Sequence, residues 1–151
     1  MAEYTAYFNG EYVPLSEVRI DPVDRGFYVG DSVFEVERTF GGKSFRMKEH
    51  VDRLYRSLKY ARIDAGLSPE EMLDISEETI RRNEDHLAED GDFVVHQFVT
   101  RGTGRRAWQA ENPTVCVRIS RLDFENFGKL YSDGTHGAIT KTLSYPPEAL
   151  D

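Results

Sequence analysis

Between residues 33 and 61 the hydrophobic pattern switches from a strand's alternation to a helix's period, and that switch constrains the fold more than any other feature. Over residues 33–40, Phe34, Val36, Arg38 and Phe40 fall on one face of a strand. Val33, Glu35, Glu37 and Thr39 fall on the other. Gly41-Gly42 turns the chain into a short strand over 43–46. Met47, Val51, Leu54, Leu58 and Ala61 then recur at spacings of three and four, which predicts an amphipathic helix with that stripe inward.

The rest of the chain fits around this unit. Asn9-Gly10 between two short extended runs predicts a hairpin, because a type I′ turn needs positive φ at both central residues. Residues 16–21 read as extended. Ser68-Pro69-Glu70-Glu71 opens a second helix, with Ser68 as cap, Pro69 at the first position and Glu71 completing a capping box. That helix should reach the early eighties, with Leu73 and Ile80 on one side, and 81–92 reads as its solvated end and a turn. Residues 93–100 and 114–120 are rich in β formers and should pair. Residues 123–129 show no firm period, and 137–142 read as a new strand before Pro146-Pro147. The order predicts an α+β fold: a mainly antiparallel sheet with two helices packed on one face.

Composition narrows the function. A chain of 151 residues buries roughly 68–70% of its unfolded surface and needs no covalent staples. A net charge of −8 argues against nonspecific binding to nucleic acid. Cys116 is the single cysteine, so no internal disulfide forms, and its apolar surroundings predict a buried, inert thiol. No His, Asp or Glu spacing resembles a metal site. The N-terminus has an early acid and no apolar core, and no apolar run approaches the roughly 20 residues of a membrane span. These features predict a soluble cytoplasmic protein without membrane or nucleic-acid partners.

On its own, Arg53 reads as a helical arginine that is solvated or paired with Glu49. Phe34 and Val36 read as strand residues, and His96 as a hydrogen-bonded core histidine. In 101–108 the string GTGRRA has the shape of a dinucleotide fingerprint but lacks the strand–turn–helix context. On the residues alone the segment reads instead as an exposed basic loop with Trp108 packed down as an anchor.

Taken together, DRGFYVGDSVFEVERTF, the Gly41-Gly42 hairpin, His50-Val51-Asp52-Arg53-Leu54 and TRGTGRRAW resemble the fold-type IV, or class IV, aminotransferases that use pyridoxal phosphate. The branched-chain and D-amino-acid aminotransferases are members. The resemblance implies that residues 1–122 form the small N-terminal domain, with 123–151 a linker and the first strand of the large one. It makes Arg53 the ligand of the cofactor phosphate, for which a rigid, always charged guanidinium is suited. It places Phe34 and Val36 at the substrate pocket and His96 near it. Arg106 becomes the clamp on the substrate α-carboxylate, beside Trp108, where the D-amino-acid branch has histidine. Val36 replaces a glycine of the branched-chain branch, which narrows the pocket.

The family's catalytic lysine lies beyond this stretch. Lys141, the nearest lysine, falls too early, so a polypeptide of these residues alone is expected to be inactive. The implied protein is a homodimer that moves an amino group between an amino acid or amine and a 2-oxo acid or ketone. An aminodeoxychorismate lyase-like reaction and a non-catalytic binding domain are the alternatives.

Overall fold

The computed structural model describes residues 3–87 and 91–139. Strands β1 (Thr5–Phe8) and β2 (Glu11–Pro14) form the first hairpin, with φ of 47° at Asn9 and 103° at Gly10 as the turn requires. A one-turn helix α1 (Arg25–Val29) follows, then β3 (Ser32–Phe40), β4 (Lys43–Ser44), α2 (Met47–Ala61) and α3 (Pro69–Arg81). Strands β5 (Phe93–Thr100) and β6 (Val115–Arg121) and helix α4 (Phe124–Asp133) complete the described chain. The strands make one sheet in the order β2-β1-β6-β5-β3-β4, antiparallel at every pairing. The fold is α+β, as the sequence predicts.

Helix α2 lies against β3, and α3 lies against β6 and β1. Val51, Leu54 and Leu58 of α2 and Met72 and Ile80 of α3 close over Phe93, Val95, Val99, Val117 and Ile119. Each buried aliphatic side chain contributes about 1.5–3 kcal/mol, so this layer holds the helices to the sheet. At the start of α3 the Glu71 amide donates to Ser68 Oγ (3.1 Å) and the Ser68 amide donates to Glu71 Oε2 (2.7 Å), the reciprocal capping box. Cys116 is buried, and burial raises its thiol pKa against the opposing pull of Arg118.

Four local expectations differ. Residues 16–21 do not form a strand: a 3-10 turn at Leu15–Glu17 ends the hairpin, and Arg19 Nη1 donates to the Ser16 and Val18 carbonyls instead. β4 stops at Ser44, where the chain turns into α2 through Arg46 at φ 58°. Residues 124–133 form a helix where no period was legible, with Gly128 in its middle. Residues 137–139 are not strand, and the remainder of that expected strand, with Lys141, lies outside the described residues.

On β3 the faces separate as the alternation predicts, but the acidic face is the covered one. Glu35, Glu37 and Thr39 are buried, the two acids beside His50 of α2, while Phe34 and Phe40 face away and are exposed. The sheet therefore keeps one open, partly aromatic face. Register sets its rungs: Phe34 opposite Phe98, Val36 opposite His96, and His96 opposite Arg118.

Candidate functional site

Arg53 lies outside the buried stripe of α2, and its side chain stays 58% exposed. Its head is nevertheless fixed. Nε donates to Glu35 Oε2 at 2.6 Å and Nη2 donates to Glu35 Oε1 at 2.5 Å, a two-bond fork on a nearly buried carboxylate. The Val36 amide donates to Glu35 Oε1 at 3.0 Å, and His50 Nδ1 lies 3.2 Å from the same oxygen. Burial opposes ionisation of Glu35, but the bonds from Arg53, Val36 and His50 outweigh it and hold the carboxyl at about 2. Arg53 is thus neither merely solvated nor paired with Glu49, whose carboxylate takes Arg46 at 2.9 Å.

Behind this pair sits a second acid. Glu37 Oε1 accepts from Gln97 Nε2 at 2.6 Å, and Gln97 Nε2 also reaches Ser76 Oγ at 3.1 Å and Met47 Sδ at 3.4 Å. Glu37 Oε2 and Gln97 Oε1 have no hydrogen-bond partner among the described residues, and Glu37 Oε2 lies 4.0 Å from His50 Nδ1. Burial, with Glu35 and Glu77 adding to it, raises the Glu37 carboxyl to about 7 against the bond from Gln97. The two neighbouring strand acids therefore differ in charge at mildly acidic pH, one ionised and one holding its proton.

The open sheet face carries the expected pocket residues. Phe34 is 65% exposed, Val36 stands beside it, and His96 is half-buried on the adjacent strand. Burial lowers the His96 pKa, and Arg118 across the next rung lowers it further. The structure brings these three together. Glu35, and with it the fork to Arg53, belongs to the opposite face of the same strand.

Arg106 and Trp108 lie in an exposed segment that includes a 3-10 turn at Ala107–Gln109. The Arg106 guanidinium stands 5.1 Å from the indole ring, and Trp108 is 77% exposed, so it is not packed down as an anchor. The root of this loop is densely hydrogen-bonded. Asp24 is fully buried and accepts from Gly26 N (2.7 Å), Thr100 Oγ1 (2.8 Å) and Thr114 Oγ1 (2.6 Å). Asp31 Oδ2 accepts from Arg25 Nε at 2.9 Å and Arg101 Nε at 2.8 Å. Arg101 also caps the end of α2 by donating to Ala61 O and Arg62 O, both at 2.7 Å, and Arg25 Nη1 reaches Arg105 O at 3.3 Å. Gly102 sits at φ 88°, where a Cβ would run into the carbonyls of Glu111 and Asn112. Gly102→Ala is expected to destabilise the fold by about 1–3 kcal/mol and to move the amide resonances of residues 103–111. Urea unfolding and amide NMR check this.

Sequence reasoning missed Glu35, Glu37, Gln97 and Asp31. A visible signal for the first two was an acidic pair on the strand face opposite three apolar or aromatic positions. Among the described residues there is no group of three or more His, Cys, Asp or Glu side chains placed to hold a metal ion. Nor is any described helix long and apolar enough to cross a membrane.

Known proteins share the sequence and the fold of this chain. A putative branched-chain-amino-acid aminotransferase of Methanocaldococcus jannaschii is 42% identical over 98 residues, covering 65% of this chain and 32% of that protein. A D-alanine aminotransferase of Staphylococcus haemolyticus is 30% identical over 137 residues, covering 91% of this chain and 46% of its own length. Among solved structures, a T.th. branched-chain amino acid aminotransferase with pyridoxamine 5'-phosphate superposes with a TM-score of 0.70 at 25% identity. That match covers 81% of this chain and 41% of that one. The chain thus spans less than half the length of each of these proteins. The family profile for amino-transferase class IV matches residues 32–147, from the start of β3 through the hairpin, both main helices and the Arg106 loop, and the chain belongs to that family.

Proposed function

We propose that this chain supplies the phosphate-holding arginine and one pocket wall of a pyridoxal phosphate-dependent aminotransferase. The observation that carries the reading is Arg53, an exposed guanidinium locked in a two-bond fork by a nearly buried carboxylate. A phosphate monoester fits that group: the fork to Glu35 uses Nε and one Nη2 hydrogen, which leaves further donors outward. When bound, the cofactor supplies an electron sink for amino-group exchange. In this reading Phe34 and Val36 face the substrate side chain, His96 stands on the same wall, and Arg106 beside Trp108 takes the α-carboxylate. Each residue binds or orients, and none is a catalytic base.

The open face also supports this reading over a stand-alone binding domain. Phe34, Phe40, Phe45 and Phe124 are exposed, which suits a wall that closes against more protein. The same proposal carries a cytoplasmic homodimer that uses an amino acid or amine and a 2-oxo acid. A polypeptide of these residues alone is proposed to form no stable imine with pyridoxal phosphate, because Lys141 precedes the family position of the catalytic lysine. An imine mapped to Lys141 after dialysis removes that statement.

The test compares pyridoxal phosphate with pyridoxal, which lacks the phosphate, by equilibrium dialysis against the chain. The phosphate should strengthen binding, and Arg53→Gln should erase about tenfold or more of that difference, the worth of a charge-assisted contact. Equal binding of the two compounds by the unaltered chain would remove Arg53 from the phosphate site.

A further inference from the structure

A guanidinium has five N–H donors arranged on three edges, and the edges are not equivalent to a ligand. Glu35 occupies the edge formed by Nε and Nη2, with both bonds at 2.6 Å or less. Nη2 also lies 3.4 Å from His50 Nδ1. Among the described residues Nη1 has no hydrogen-bond partner. Glu35 in turn cannot swing away: its carboxylate is nearly buried, the Val36 amide holds Oε1, and β3 carries it in register with β5.

We propose that Glu35 is a positioning residue for Arg53: it selects the edge on which an anion binds, withholding Nε and leaving the Nη1–Nη2 edge to phosphate. The inference rests on Arg53 being the phosphate ligand and adds what determines its geometry. A long side chain that would otherwise sample many rotamers is presented in one orientation, and the anion meets two parallel N–H groups end-on. Glu35 also compensates one positive charge, so the Arg53–Glu35 unit is neutral before the anion arrives. An electrostatic counterion role alone would fix no edge, and the two roles differ in what they predict.

The probe is inorganic phosphate titrated into the 151-residue chain, read through the side-chain nitrogen resonances of Arg53 by NMR, with amide spectra reporting the fold. In the unaltered chain phosphate should shift the Nη signals and leave Nε in place. In Glu35→Gln the Nε hydrogen should exchange at least about tenfold faster, the loss of a charge-assisted bond, and phosphate should now shift Nε. A phosphate shift at Nε in the unaltered chain overturns the edge selection while leaving Arg53 as the phosphate ligand. Retention of the end-on pattern in folded Glu35→Gln also overturns it, because another group must then orient the guanidinium. Absence of any phosphate effect at Arg53 overturns this inference together with the proposed phosphate site. If Glu35→Gln does not fold, the pattern in the unaltered chain still decides.

Discussion

Asp24→Ala is expected to remove about 3–5 kcal/mol of stability, the largest loss from any single side chain in the loop region. The carboxylate is fully buried and accepts three bonds, from the first turn of α1 and from hydroxyls on β5 and the residue before β6. Removing it leaves three donors without partners in a site closed to water, each costing about 1–3 kcal/mol before relaxation. Asn is the informative second variant. It keeps one acceptor oxygen but places an amide donor against a hydroxyl or amide that is already donating, so it should recover only part of the loss. Urea unfolding of the three proteins measures this. A cost below about 1 kcal/mol for Asp24→Ala would show that the two threonine hydroxyls re-pair locally and that the knot is not what holds the loop root.

Glu37→Gln has the opposite sign above neutral pH. The Glu37 carboxyl rises from 4.5 to about 7, first because it is buried and then because Glu35 and Glu77 are near. The folded chain therefore holds this proton more tightly than the unfolded chain. Stability from it is complete below pH 4.5 and is lost as pH rises through about 7. The full loss is on the order of 3 kcal/mol, since each tenfold change in proton affinity is about 1.4 kcal/mol. Glutamine keeps an acceptor for Gln97 Nε2 and cannot ionise. The variant should match the unaltered chain near pH 4 and exceed it by about 2–3 kcal/mol near pH 8.5 in urea unfolding. Glu35 acts in the other direction: its carboxyl is lowered to about 2, so its contribution is present above 4.5 and fades as pH falls through 2. Equal pH slopes for the two proteins between about 5 and 8.5 would mean that Glu37 does not carry the proton.

What was legible in the sequence was local. Helix α2 is written in one stripe, Met47, Val51, Leu54, Leu58 and Ala61, and the start of α3 in the capping box from Ser68 to Glu71. The first hairpin is written in Asn9-Gly10, because positive φ at two successive positions leaves few alternatives. Helix α4 was not legible, since Gly128, a poor helix former, stands in its middle and, among its described side chains, Phe124, Leu130 and Tyr131 are exposed. The site divided in the same way. Arg53 is marked by its motif, whereas the partner that fixes it, Glu35, lies 18 residues away on another element. The buried acids defeat a hydrophobicity reading of β3 outright: the face with more aromatic surface is the open one, and the face with two carboxylates is the covered one. Burial of those acids is tolerated because Arg53, His50 and Gln97 come from α2 and β5 to meet them.

The strand order also has a consequence for how the chain is made. Among the described strands the N-terminal hairpin joins the sheet only through β6, and β6 is the last of the six to be synthesised. A ribosome releases the first hairpin early, yet a two-stranded hairpin is marginal alone. It must wait, with an unpaired edge, until residue 121 has emerged. Any nascent chain or proteolytic product that stops short of β6 leaves the edges of both β1 and β5 open at once. Such products are expected to associate with one another before they are degraded, because each presents two templates for strand pairing.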